Sequence, residues 1–261
     1  MRLKAFFKLF QAWDRPAQIG FALAIGLFIP ALIFAAFAPT ELRALAIGSL
    51  MALVIVAQLI FMWANRGMVT PYTQAQRHYL EGDFDSAREL LEGLHTSGKA
   101  NIHALTLLGN TYRQLGLLAD SKTILCEALN IQPDLHFPLY GFGRTLLSEG
   151  QYEEAAEFIN RALQNGAPII IRFDLGEAFY RKGSMADASE ALHAVASWVK
   201  DEPHRALMTA YMLYRMGEAQ PPSQEVILDG LAYWQTSAER FKHTPYGKAL
   251  HEDIHFISAL M

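Results

Sequence analysis

The chain has 261 residues, room for one or two domains, and a formal net charge of −4, which gives no electrostatic footing for a nucleic-acid partner. Its single cysteine, Cys126, excludes an internal disulfide framework and any CxxC site. Apolar residues make up 52% of the chain, a surplus that points to membrane segments.

Residues 1–15 form a basic segment, "MRLKAFFKLFQAWDR". As a helix it would dip Phe6, Phe7, Phe10 and Trp13 into lipid headgroups and leave Lys4 and Lys8 in water. The apolar surplus follows. No charged residue occurs from Pro16 to Thr40, nor from Ala44 to Asn65. Each run exceeds the ~20 helical residues that cross a bilayer core. Only a short link around Glu41–Arg43 separates them, so residues 16–66 are expected to form a two-helix transmembrane hairpin. Pro30 lies inside the first span, where a membrane helix tolerates it. "AFA" at 36–38 resembles a signal-peptide cleavage site, but the run is longer than a signal core and Pro39 would follow the cut. Arg2, Lys4, Lys8 and Arg15 precede the first span and Arg66 follows the second, against Arg43 alone in the link. The two apolar runs imply an integral membrane protein, expected in a bacterial inner membrane, and the positive flanks favour both termini and the region after the second span on the cytoplasmic side.

Beyond residue 67 charges appear and a glycine recurs, at Gly82, Gly116, Gly150, Gly183 and Gly217, in steps of 34, 34, 33 and 34 residues. A fixed period of this length marks a helical repeat array. Seven residues before each glycine stand Ala75, Gly109, Gly143, Gly176 and Ala210, all small. Nine after it stand Leu91, Leu125, Ile159 and Leu192, all large. Two antiparallel helices approach closely only where a small residue on one faces the other, and the periodic glycine ends the first helix in a left-handed turn.

These residues resemble the tetratricopeptide-repeat (TPR) family. "LLGNTYRQLGLLADSKTILCEALNIQP" (107–133) carries its pattern in Leu108, Gly109, Tyr112, Gly116, Ala128 and Pro133, and 141–163 and 174–192 follow it closely. The family's frequent tryptophan is replaced by Leu105 and Leu139. Residues 68–217 make three good repeats, one weak leading repeat and one degenerate closing unit. The resemblance implies an all-α chain: a membrane hairpin, then an α-solenoid, then C-terminal capping helices within 218–261, at about 223–242 and 246–260.

The resemblance also implies a concave groove lined by the first helix of each unit. Its expected lining is Asn110, Arg113, Tyr140, Arg144, Phe173, Glu177, Tyr180, Arg181, Tyr211, Tyr214 and Arg215. Arginine and tyrosine dominate interface energetics, and arginine grips carboxylates in a bidentate fork. The expected partner is a protein or peptide of acidic or C-terminal character, with the membrane held through residues 16–66. The expected role is a scaffold that aids assembly or localisation of a membrane or envelope complex.

The last helix contains His251, Glu252 and His255, the H-E-x-x-H spacing of zinc proteases. A zinc-dependent hydrolase is therefore the alternative reading, with His251 and His255 as candidate ligands. Zinc requires a third protein ligand, and the extended motif would place Gly and His where Ser258 and Met261 stand. The helix reads better as a cap, its stripe of Leu250, Ile254, Ile257 and Leu260 sealing the last repeat with Glu252 and Asp253 toward water. No phosphate-binding loop, dinucleotide fingerprint or nucleophile elbow occurs, so no cofactor and no catalysis are expected. Cys126 reads as a core residue.

Overall fold

A computed structural model describes residue 10 and residues 13–65 and 70–261. The basic amphipathic segment expected over 1–15 lies largely outside the described residues. All regular structure among the described residues is helical. The chain divides into two units, Met1–Thr70 and Pro71–Met261.

In the first unit, α1 (Arg15–Phe37) and α2 (Thr40–Asn65) pack on each other across a two-residue link. Pro16 sits in the first turn of α1, where its missing N–H costs nothing, and α1 continues through Pro30. At Gly20 the helices are close, since a Cβ would lie 3.3 Å from the Ile60 side chain. Gly26 and Gly48 face open space. Trp13 packs edge-on against Phe21 and Phe61, and the Gln18 amide donates to the carbonyl of Trp13 at 2.9 Å. Most of the remaining apolar surface points outward, with Ile19, Leu23, Ile29 and Leu45 all more than 60% exposed. Both helices are long and apolar enough to cross a membrane.

The second unit is a row of helix pairs: α3 (Pro71–Glu81) with α4 (Phe84–Thr96), α5 (Ile102–Gln114) with α6 (Leu118–Ile131), α7 (His136–Glu149) with α8 (Tyr152–Gln164), and α9 (Arg172–Lys182) with α10 (Met185–Val195). Then come α11 (Pro203–Arg215), α12 (Gln224–Arg240) and α13 (Pro245–Ser258). All five periodic glycines have positive φ, from 77 to 91°, as the turn after a first helix requires. The small–large pairs meet as the spacing predicts. A Cβ on Gly109 would lie 2.4 Å from Leu125, on Gly143 2.7 Å from Ile159, and on Gly176 2.8 Å from Leu192. Leu105 and Leu139, in place of the tryptophan, are fully buried. Side-chain caps start several helices, with Asn101 accepting from the Ala104 N–H at 2.9 Å and Thr244 from the Gly247 N–H at 3.1 Å.

Successive first helices approach one another (α3 with α5, α5 with α7, α9 with α11), and no pair of second helices does so to that extent. The first helices therefore form the inner, concave side. α12 closes the last unit by packing on α11, with Ile227 and Trp234 buried and a Cβ on Gly230 only 2.5 Å from the Pro203 carbonyl. α13 then turns back and packs against α7. Leu250 and Ile257 are fully buried in the core of the solenoid, and Ile254 and Leu260 pack against it. One expectation is corrected here. Asp253 does not face water; it is buried, because α13 lies against the inner helices on that side as well as on its apolar stripe. Cys126 is also corrected: α6 turns Ile124, Leu125 and Ala128 inward and leaves the thiol exposed.

Candidate functional site

The inner face is rich in arginine and tyrosine, and most of these residues are engaged by buried carboxylates. Asp174, fully buried on α9, is the centre of one network. It pairs with Arg144 from α7, accepts a 2.6 Å hydrogen bond from the Tyr140 hydroxyl, and stands 3.6 Å from Arg205 of α11. A second network surrounds α13. Arg181 meets Asp253 at 2.5 Å and Glu177 at 3.4 Å. The Tyr246 hydroxyl donates to Glu177 at 3.0 Å and the Tyr211 hydroxyl to Asp253 at 2.8 Å. Arg215 donates to the Tyr211 oxygen at 2.8 Å and stacks on Phe256, 4.5 Å from its ring centre.

The eleven expected groove residues thus separate into groups. Glu177, Arg181 and Tyr211 are covered by α13, and their partners are its own Tyr246 and Asp253. Tyr180 and Arg215 border a depression with Met185 and Glu218, and Tyr214 faces the Phe256 ring. Asn110, Arg113, Tyr140, Arg144 and Phe173 come together around one cavity of about 220 Å³. Tyr79 of α3, His204 and Arg205 of α11, and Tyr233 and Trp234 of α12 complete its wall. α12 forms the far side because its C-terminal end crosses to α5, where Arg240 donates to Gln114 and stacks 5.8 Å from the Phe84 ring.

The cavity is polar and positively charged. Arg144 and Arg205 share Asp174, and Glu202 meets Arg205 at 2.7 Å from the solvent side. Arg113 has no such partner among the described residues: it is 8% exposed, makes no ion pair or hydrogen bond with them, and its Nε is buried and unmatched. Burial, and then the neighbouring Arg144 guanidinium, hold Arg113 below the usual arginine value. Burial, and then Arg205, push His204 down to about 4, so its ring lines the cavity uncharged at neutral pH. Arg181 differs. Burial works against its charge, but Asp253 and Glu177 outweigh that, and its value is raised.

Sequence reasoning named the inner-face arginines and missed Asp174, Arg205, Tyr246 and Asp253, which hold them. One signal was present. Asp174 and Glu177 flank the close-packing Gly176 in "FDLGEAF", and acids on a helix face that must be buried require partners. His251 and His255 lie exposed on α13, and Asp253 between them is engaged with Arg181. Among the described residues no group of three or more His, Cys, Asp or Glu side chains is placed to hold a metal.

The fold and the inner face define a helical-repeat protein of the kind that presents a concave surface. Residues 102–135 and 140–201 match models of the tetratricopeptide repeat, so this stretch of the chain carries tetratricopeptide repeats. Among solved structures it is similar to one titled "Crystal structure of MamA", 18% identical with a TM-score of 0.47 over 65% of this chain and 95% of that one. A second, "MamA 41-end from Desulfovibrio magneticus RS-1", is 18% identical with a TM-score of 0.49 over 70% and 93%. No curated protein matches the chain.

Proposed function

We propose that the chain is a membrane-anchored scaffold whose solenoid binds a protein partner at the uncovered part of its concave face. The observation that carries this reading is the cavity at Asn110, Arg113 and Tyr140, rimmed by aromatic side chains and left open where α12 and α13 cover the rest. Arginine with tyrosine and tryptophan, in a concave and partly desolvated setting, is the usual composition of an interface anchor. The partner is accordingly anionic at the point that enters the cavity. The outward apolar surface of α1 and α2 supports lipid contact, because leaving that much apolar area in water costs about 25 cal/mol per Å². With charge favouring a cytoplasmic solenoid, the anchor confines the cavity to the inner membrane surface and raises its effective concentration for membrane-bound partners. Assembly or localisation of a membrane complex fits that arrangement.

Co-purification from the native membrane in mild detergent tests the reading. Tyr79 and Tyr233 lie at the rim, half-buried and 40% exposed, so replacing both by alanine leaves the core intact. A partner present with wild type and absent from the Tyr79→Ala, Tyr233→Ala double variant supports the cavity as the binding face. An unchanged set of partners removes it. Arg144 and Arg181 are unsuitable probes, since each is tied into a buried ion pair.

A further inference from the structure

A buried arginine normally has a carboxylate beside it, because an uncompensated charge in a protein interior is costly. Arg181 has Asp253 and Glu177, Arg144 has Asp174, and Arg205 has Asp174 and Glu202. Arg113 has none among the described residues, although it is as buried as the others and faces the same cavity. Within the cavity three guanidinium groups, Arg113, Arg144 and Arg205, thus stand against the single buried carboxylate of Asp174. Glu202 balances part of Arg205 only from outside, at 38% side-chain exposure. Arg240 adds a further cation close behind, held to Gln114.

We propose that this cavity binds a doubly charged oxyanion of the phosphoryl type, free in solution or carried on a side chain of the partner. The inference rests on the reading of this cavity as the binding face. Three features select the chemistry. With Arg240 counted, four guanidinium groups stand against two carboxylates, Asp174 and Glu202, an excess of two positive charges; a phosphoryl group carries about −1.5 to −2 at neutral pH, whereas one carboxylate would leave a cation unmatched. The unengaged guanidinium of Arg113 offers the planar fork that fits phosphate oxygens, and the amides of Asn110 and Gln114 add neutral donors at the wall. The volume, about 220 Å³, admits a phosphoryl group with a few attached atoms and is below the ~300 Å³ at which pockets for larger ligands begin.

The test uses the full chain in mild detergent at low salt, titrated calorimetrically with inorganic phosphate, with a phosphoserine peptide, and with the same peptide unphosphorylated. Wild type is expected to bind phosphate or the phosphopeptide and not the unphosphorylated peptide. Arg113→Met, which keeps the packed stem and removes the charge, is expected to weaken that binding by at least about tenfold. It is also expected to raise the unfolding midpoint without ligand, because it relieves an unpaired buried charge. Arg113→Lys retains part of the affinity. A phosphopeptide bound about tenfold tighter than phosphate assigns the anion to a partner's side chain, and the reverse order assigns it to a free small anion. No phosphate or phosphopeptide binding by wild type at ~10 mM, or equal binding by Arg113→Met, overturns the proposal. If the anion fails to bind while the rim tyrosine variant still loses a partner, the scaffold reading stands without it. If the anion binds and the partners are unchanged, the reverse holds.

Discussion

Two glycines of opposite kind show how much a single position can decide. Gly143 is pressed against Ile159, and a Cβ there would lie 3.1 Å from the Ile159 nitrogen and 3.2 Å from the Ala155 carbonyl, backbone atoms that do not yield. Gly143→Ala is therefore expected to cost about 1–3 kcal/mol by overpacking. Gly93, inside α4, faces open space, so Gly93→Ala is expected to gain about 0.5–1 kcal/mol from helix propensity alone. Thermal unfolding of the two variants in detergent should move in opposite directions. The same scale settles the H-E-x-x-H motif. Asp253→Asn breaks a buried ion pair with Arg181 and is expected to cost about 3–5 kcal/mol. His251→Ala and His255→Ala, on the exposed side of α13, are expected to stay within about 0.5 kcal/mol of wild type. The residue that matters in the motif is the one the zinc pattern leaves free.

At the scale of elements, α13 is a strut laid along α7, α9 and α11 rather than a lid at one end. Ending the chain after Thr244 would leave Arg181 and Tyr211 without Asp253, and Glu177 without Tyr246. In a repeat array each unit depends on its neighbours, so the loss should be local. Hydrogen exchange is expected to show protection falling in α9 and α11 and persisting in α4 and α5. This element also marks where sequence reading ends. The turn glycines and the pairs Gly109–Leu125, Gly143–Ile159 and Gly176–Leu192 were legible because their spacing is local and repeats. The path of α13 was not, because Glu177–Tyr246 and Arg181–Asp253 join segments far apart in the chain and outside the period. Inner-face residues were recognisable by position in the repeat. Whether a given arginine is open or already engaged depends on which carboxylate the tertiary fold delivers to it.

At the scale of the whole chain, pH reports on the cavity. His204 has its value lowered to about 4 by burial and then by Arg205, from an ordinary 6.5. Below about pH 6.5 the unfolded chain takes up a proton that the folded chain refuses, so stability falls as pH drops toward 4. Asp83, held down by its bonds to Ser86, and Glu218, held down by Ser189 and His193, extend the loss in the same direction at lower pH. A His204→Gln variant is expected to flatten the curve between about pH 4 and 6.5 in denaturant titrations and leave the more acidic limb unchanged.

The bond from Arg240 to Gln114 carries a mechanical consequence. An open superhelix behaves as a spring, its curvature changing as neighbouring units rock. Here the far end of the coil is tied back to its second unit, across the hollow, by a single helix, α12. The coil becomes a braced arch, and a load applied at one end is delivered to the other as a displacement instead of being absorbed as bending.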